Sequence, residues 1–167
     1  MKQVQPLGTR IFIKRALTKK RLTLFYFEES RCNMPSGRLK MISALRNNVV
    51  TTLREKGFKG SFPHFRRITD KKIDLLTFQF DKYGGGFVVE VAKCSPKGLT
   101  HHWGEKVPPN KVTAHDVHPD DRLRLNDGPD DWFRYDLANA PESIYEKVAI
   151  EVLNHLDEAE AYWDNSK

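Results

Sequence analysis

The sequence predicts an α+β domain: an antiparallel β-meander of three to four strands packed by an N-terminal and a C-terminal helix. Three observations carry this prediction. Apolar residues recur at helical spacing just after residue 34 and again near the end of the chain. Two runs between those stretches alternate apolar and polar residues on either side of Gly84-Gly85-Gly86. The 167 residues, 39% hydrophobic and 30% charged, suit one globular domain with a real core.

Residues 1–33 read as a basic tail outside the domain, with residues 34–167 forming the single α+β unit. The tail holds two short apolar runs, 11–13 and 22–27, split by a basic patch. It is a solvated arm, a nucleic-acid contact beside the aromatics at 25–27, or an upstream stretch preceding a start at Met34 or Met41. The first helix begins near Ser36. Leu39, Ile42, Leu45, Val49 and Leu53 form one stripe, Gly57 suits the left-handed C-cap, and Phe58 folds back onto the last turn.

Residues 62–69 form an edge strand, because Pro63 has no N–H for a central ladder. In "KKIDLLTFQFDKY", Leu76, Phe78 and Phe80 face one way and Leu75, Thr77 and Gln79 the other. After the glycine reversal, Phe87, Val89 and Val91 oppose Val88, Glu90 and Ala92. The triple glycine is not a phosphate loop: no Lys-Ser/Thr follows it, and a strand rather than a helix comes next. Residues 95–119 form a long loop. "RLRLND" is a short strand with Leu123 and Leu125 inward and Arg122 and Arg124 outward, and "DGPDDWF" is a turn. The last helix starts at Pro141. Tyr145, Ala149, Val152, Leu156, Ala159 and Trp163 give it an apolar stripe about six turns long.

The totals exclude several classes. No run of about 18 apolar residues occurs, so no membrane span is expected. No signal-peptide core follows the basic N-terminus, and Cys32 and Cys94 form no metal-type or CxxC spacing. Two free thiols in the cytoplasm are expected. The net charge of +6 comes from the first 33 residues, which hold eight basic and two acidic side chains. The rest is neutral but polarised: fifteen basic and six acidic residues in 34–111, five and fourteen in 112–167. Opposed halves of this kind pair internally or present a signed face to a protein partner.

These pieces, in this order, resemble the bacterial family catalogued as domain of unknown function 4304. That family has a helix ending in Gly-Phe, an aromatic followed by Arg, and an aliphatic-x-Phe-Gln strand. A Phe-x-Val strand, an Arg-x-Arg-Leu and a tryptophan follow. The matching positions are Gly57, Phe58, Phe65, Arg66, Phe78, Gln79, Phe87, Val89, Arg122, Arg124, Leu125 and Trp132, within residues 41–136. One departure stands out: where the family's third strand continues into Asn-Leu-Gly, this chain has Glu90-Val91-Ala92-Lys93. The resemblance implies a compact α+β domain and an accessory or interaction role, with no established activity.

Two candidate sites emerge. Phe65, Arg66, Gln79, Arg122, Arg124 and Trp132 are the candidate interaction or ligand residues. Their polar members converge if the strands pair in chain order, and arginines grip a carboxylate or phosphate bidentately. Ion pairing with Asp74, Glu90 or Asp131 is the simpler expectation. The second candidate is the histidine-rich loop. His101, His102, His115 and His118 with Asp116 are metal-ligand types, and zinc or iron takes such a set. Pro108, Pro109 and Pro119 favour extended or turn geometry, in which residues three apart point to opposite faces. A solvated polar loop without metal is therefore the expectation, with no cofactor. Cys94 lies upstream of His101 and His102 without a dyad motif. The function expected is a non-enzymatic, cytoplasmic protein-interaction domain, with neutralisation of a bacterial toxin as one version by analogy. A metal-dependent or small-ligand enzyme on the 101–118 loop, or nucleic-acid binding through the tail, are the alternatives.

Overall fold

The computed structural model describes residues 36–126, 131–137 and 139–165. The basic tail, the boundary at residue 34 and the tip of the "DGPDDWF" turn lie outside the described residues. The elements run α1 (Ser36–Leu45), a π-helical turn (Arg46–Val50), α2 (Thr51–Glu55), β1 (Lys59–Ser61), β2 (His64–Ile68), β3 (Ile73–Phe80) and β4 (Gly86–Cys94). There follow β5 (Leu99–Thr100), β6 (Lys106–Val107), β7 (Arg122–Arg124), β8 (Phe133–Arg134), α3 (Ile144–Asn154) and α4 (Leu156–Asp164). The fold is the expected α+β arrangement, an antiparallel sheet packed by an N-terminal and a C-terminal helical segment.

The first helix is continuous from Ser36 to Glu55 but widens at Arg46–Val50. Its buried residues explain why. Met41, Leu45, Val49 and Leu53 are fully enclosed and stand four apart. An α-helix has 3.6 residues per turn, so a spacing of four drifts by about 0.4 residue each turn. One wider turn, bonding i to i+5, absorbs the drift and keeps the stripe on the sheet. The expected stripe is therefore corrected at its start: Met41, Ala44 and Leu45 are inside, and Leu39 is exposed. The helix stops as expected. Gly57 has φ +87°, its N–H bonds to the Arg54 carbonyl at 3.0 Å, and the Phe58 N–H bonds to the Leu53 carbonyl at 2.9 Å. Phe58 then buries against the core.

Among the described residues the main sheet has six strands, ordered β1-β2-β3-β4-β7, with β8 also on β4. The β3–β4 hairpin pairs Phe80 with Phe87 and Ile73 with Cys94 around the glycine turn. The edge lies elsewhere than expected. Residues 59–61 pair with β2 through a two-residue turn at Phe62-Pro63, so Pro63 sits in a reversal and β1 takes the edge. Pro63 breaks the strand there because it has no N–H to place in a ladder.

The two faces of the sheet carry two cores. One face carries Phe65, Leu76, Phe78, Phe87, Val89, Val91, Leu125 and Phe133, which pack against the helices. On the other, Ile73, Leu75 and Ala92 are covered by Val112, Ala114 and Val117. The 95–119 segment is thus corrected from a solvated loop to a partial third layer. A strand with apolar residues on both faces needs cover on both, and each valine supplies about 1.5–3 kcal/mol on burial. The C-terminal helix is interrupted at His155, whose N–H bonds three residues back to the Val152 carbonyl at 3.2 Å. It begins at Ile144 rather than Pro141. Trp163 reaches the sheet beyond this joint, and its indole N–H donates to the Ala92 carbonyl at 2.9 Å. Arg67 of β2 links the layers, bonding Asp74 at 2.8 Å and Glu160 at 2.7 Å. Burial works to raise the Glu160 carboxyl, but Arg67 and Lys56 hold it net below the usual range.

Candidate functional site

Strand register builds a polar row on the face opposite the helices. His64 pairs with Thr77 across β2–β3, Thr77 with Glu90 across β3–β4, and Glu90 with Arg124 across β4–β7. Side chains of paired residues share a face, so the four line up across four strands. Thr77 is fully buried and Glu90 is 4% exposed. The Thr77 hydroxyl is 3.1 Å from His64 Nδ1. The Glu90 carboxylate accepts from Arg122 Nη1 at 3.1 Å and Arg124 Nε at 3.3 Å, with His115 Nε2 at 3.5 Å. A carboxylate this deep requires such partners.

Arg122 also fastens the third layer. Its Nε donates to the Val117 carbonyl at 2.8 Å and its Nη2 to the His115 carbonyl at 2.7 Å. His115 in turn lies edge-on to His64, with ring centroids 5.6 Å apart. Burial pushes the His64 imidazolium below the usual histidine range, and His115 and Arg66 act the same way while Asp116 opposes them. The unfolded chain therefore takes up a proton at His64 more readily than the folded one. Its contribution to stability is complete above about pH 6.5 and shrinks as pH falls below that value. His64→Gln is expected to flatten this part of the profile, read as the urea midpoint against pH.

The structure divides the predicted interaction residues. Arg66, Gln79, Arg122 and Arg124 share the sheet face of the polar row by register. Trp132 lies against Gly86, with the Arg134 guanidinium 5.5 Å from its ring. Phe65 points the other way and is enclosed in the helix-side core. Arg122 and Arg124 already hold a carboxylate, that of Glu90. Sequence reasoning missed His64, Thr77 and Glu90 as a unit. Counting outward from the glycine turn pairs residue 80 with 87 and hence 77 with 90, which was the available signal.

The histidine-rich loop spreads its rings. Thr113 caps a short 3-10 turn through Asp116, and Pro119 opens a second. His115 thereby faces the polar row, while the His118 Nδ1 is exposed beside Asp120 at 3.5 Å. His101 stacks on Trp103 with centroids 4.2 Å apart and planes 7° from parallel. Its Nε2 is 3.9 Å from Asp116, and His102 meets the same indole edge-on at 4.6 Å. Among the described residues no three His, Cys, Asp or Glu side chains come together to hold a metal. This loop lines an open groove of about 1510 Å³ together with Lys72, Lys93 and Tyr162. Cys94 borders it. Burial pushes its thiol up to about 11, and Asp116 and Asp74 add to the effect, so no reactive thiolate is present there at neutral pH.

The outer face of α3 and α4 is of another kind. Glu146, Glu151 and Asp157 are exposed, and none of them makes an ion pair among the described residues. Ile150, four residues after Glu146, is 51% exposed. Lys147 is a base on the same arc. Among the described residues no helix is long and apolar enough to cross a membrane.

The molecule is thus an α+β domain in which the buried Glu90 is paired on the sheet, while Glu146, Glu151 and Asp157 on the helices make no ion pair among the described residues. A family model described as Domain of unknown function (DUF4304) matches residues 49–164, and the chain belongs to that family. The match reaches through the C-terminal helix, beyond the 41–136 stretch in which the motifs lie, and begins at Val49 rather than Met41. No curated protein and no solved structure matches the chain.

Proposed function

We propose that this chain is a non-enzymatic, cytoplasmic protein-interaction domain that binds a basic partner through the outer face of α3 and α4. The observation that carries the reading is the contrast between the two surfaces. On the sheet, Glu90, Arg122 and Arg124 satisfy one another and hold the 112–121 segment in place. On the helices, Glu146, Glu151 and Asp157 are exposed, as is Ile150, and the three carboxylates have no ion-pair partners among the described residues. Unpaired carboxylates around an apolar anchor speed encounter with a basic surface and fix its orientation, while burial of the anchor supplies affinity.

The triple charge reversal Glu146→Lys, Glu151→Lys and Asp157→Lys tests this. All three positions are exposed, so the fold is expected to survive, checked by circular dichroism. Pull-downs from native lysate at low and at high salt are compared for the natural chain and the variant. A basic protein retained by the natural chain, lost at high salt and lost on charge reversal supports the proposal. Equal recovery by both chains, or no specific recovery by either, overturns it. Ile150→Ala is expected to weaken retention about ten-fold.

A further inference from the structure

The third layer meets the sheet through a pair of imidazoles. His64 of β2 and His115 of the 114–116 turn lie edge-on, with ring centroids 5.6 Å apart and planes at 83°. Each ring is anchored on its own side. His64 Nδ1 is 3.1 Å from the buried Thr77 hydroxyl. His115 Nε2 is 3.5 Å from Glu90, and the His115 side chain is 41% exposed. Arg122 grips the His115 carbonyl and also that of Val117. The Val117 side chain, with Val112 and Ala114, covers Ile73, Leu75 and Ala92. One short stretch of chain therefore sets both the place of the His115 ring and the closure of the second core.

The surroundings of the pair are poor in negative charge. β2 contributes Arg66, and β1 places Ser61 opposite His64 and Lys59 opposite Arg66. β3 contributes the Thr77 hydroxyl. β4 contributes Glu90, whose carboxylate is already shared by Arg122 and Arg124 of β7. The third layer contributes Asp116, whose carboxylate accepts from the Thr113 N–H at 2.7 Å and hydroxyl at 2.8 Å. Four fixed cations, Lys59, Arg66, Arg122 and Arg124, thus stand against two carboxylates, Glu90 and Asp116. A proton added to the pair meets this positive excess and a second ring close by. The lowered range of His64, caused first by burial and then by His115 and Arg66 against Asp116, has the same direction. When residues 112–121 lift away, His64 gains water and loses the facing ring, so the open form takes up the proton more readily. By linkage, acid then favours the open form.

We infer that His64 and His115 form an acid-sensitive latch whose protonation releases residues 112–121 from the sheet and uncovers the apolar face of Ile73, Leu75 and Ala92. Release begins as pH falls below about 6.5, the ordinary histidine value that His64 regains in the open form. The latch lies on the sheet face opposite the helices, and the inference does not depend on the proposed function.

Amide hydrogen exchange of the full chain at about pH 7.5 and about pH 5.5, each rate divided by its intrinsic value at that pH, reads the latch. Protection of residues 112–121 is expected to fall about five-fold or more on acidification, while that of β3 changes by less than about two-fold. His64→Gln keeps a hydrogen-bonding partner for Thr77 and is expected to abolish the selective fall. His115→Gln removes the facing ring, keeps the Arg122 contacts to the backbone, and is expected to reduce the fall by about half. His118→Gln is expected to leave it intact, because that exposed ring pairs with Asp120. Protection of 112–121 that is unchanged or higher at the lower pH overturns the inference. So does a fall shared equally by β3, or an equal fall in the His64→Gln chain.

Discussion

Replacing Glu90 by alanine is expected to lower the unfolding free energy by about 3 kcal/mol and to loosen residues 112–121 from the sheet. Glu90 is the counter-charge for Arg122 and Arg124, and Arg122 is the side chain that grips the Val117 and His115 carbonyls. Without the carboxylate, a largely enclosed guanidinium faces an apolar strand. For a domain of this size the loss corresponds to a fall of roughly 10 °C in melting temperature. Glu90→Gln keeps the shape and one acceptor and is expected to cost about half as much. The diagnostic measurement is amide hydrogen exchange. Faster exchange in 112–121 than in β3 is the expected result, and uniform acceleration would mean that the row does not anchor the segment.

Trp163→Ala is expected to cost about 4 kcal/mol, the upper part of the range for a buried aromatic. Three interactions end on this indole. Its ring lies 5.1 Å from that of Phe58, the Arg67 guanidinium lies 5.4 Å from its centre, and its N–H satisfies the Ala92 carbonyl. The helix that carries it is tied down at its end by Lys93, which donates to the Tyr162 carbonyl at 2.9 Å and to that of Asn165. Lys72 donates to the Trp163 carbonyl. Trp163→Phe retains most of the volume but leaves the Ala92 carbonyl without its donor, for a loss of about 1–2 kcal/mol. Urea unfolding followed by circular dichroism distinguishes the two. Equal losses would mean that volume is irrelevant at this site.

Local pattern made the helices, the central hairpin and its facing readable from sequence. Leu76 and Phe78 against Leu75 and Thr77 is an alternation that only a strand explains, and three glycines fix where it turns. Pairings set by distant residues were harder to read. Residues 59–61 look like loop because Gly60 dominates them, and only the finished β2 gives them a ladder to join. Val112, Ala114 and Val117 are diluted by charged and histidine neighbours, so their joint burial shows only once Ile73 and Leu75 are known to need a cover. The polar row needs the register of four strands at once. Glu90 alone in a strand was visible. The sequence offers Asp74, Glu90 and Asp131 as partners for the arginines; that Arg122 and Arg124, more than thirty residues later, both meet Glu90 follows from β7 joining β4. The acidity of the last third of the chain was plain from composition, but which of its carboxylates stay exposed required knowing which arc of α3 the core takes up.

The wide turn at Arg46–Val50 also phases the long helix. Each residue of an α-helix rotates the chain by about 100° about its axis. Shortening this turn by a single residue would yield a regular helix, yet would swing the Ser36–Leu45 half by about that angle against the Thr51–Glu55 half. Met41 and Leu45 would leave the interior, and Arg38 would be carried away from Phe80. The extra residue therefore acts as a rotational spacer, setting the azimuth at which the amino-terminal end of the helix meets the rest of the protein.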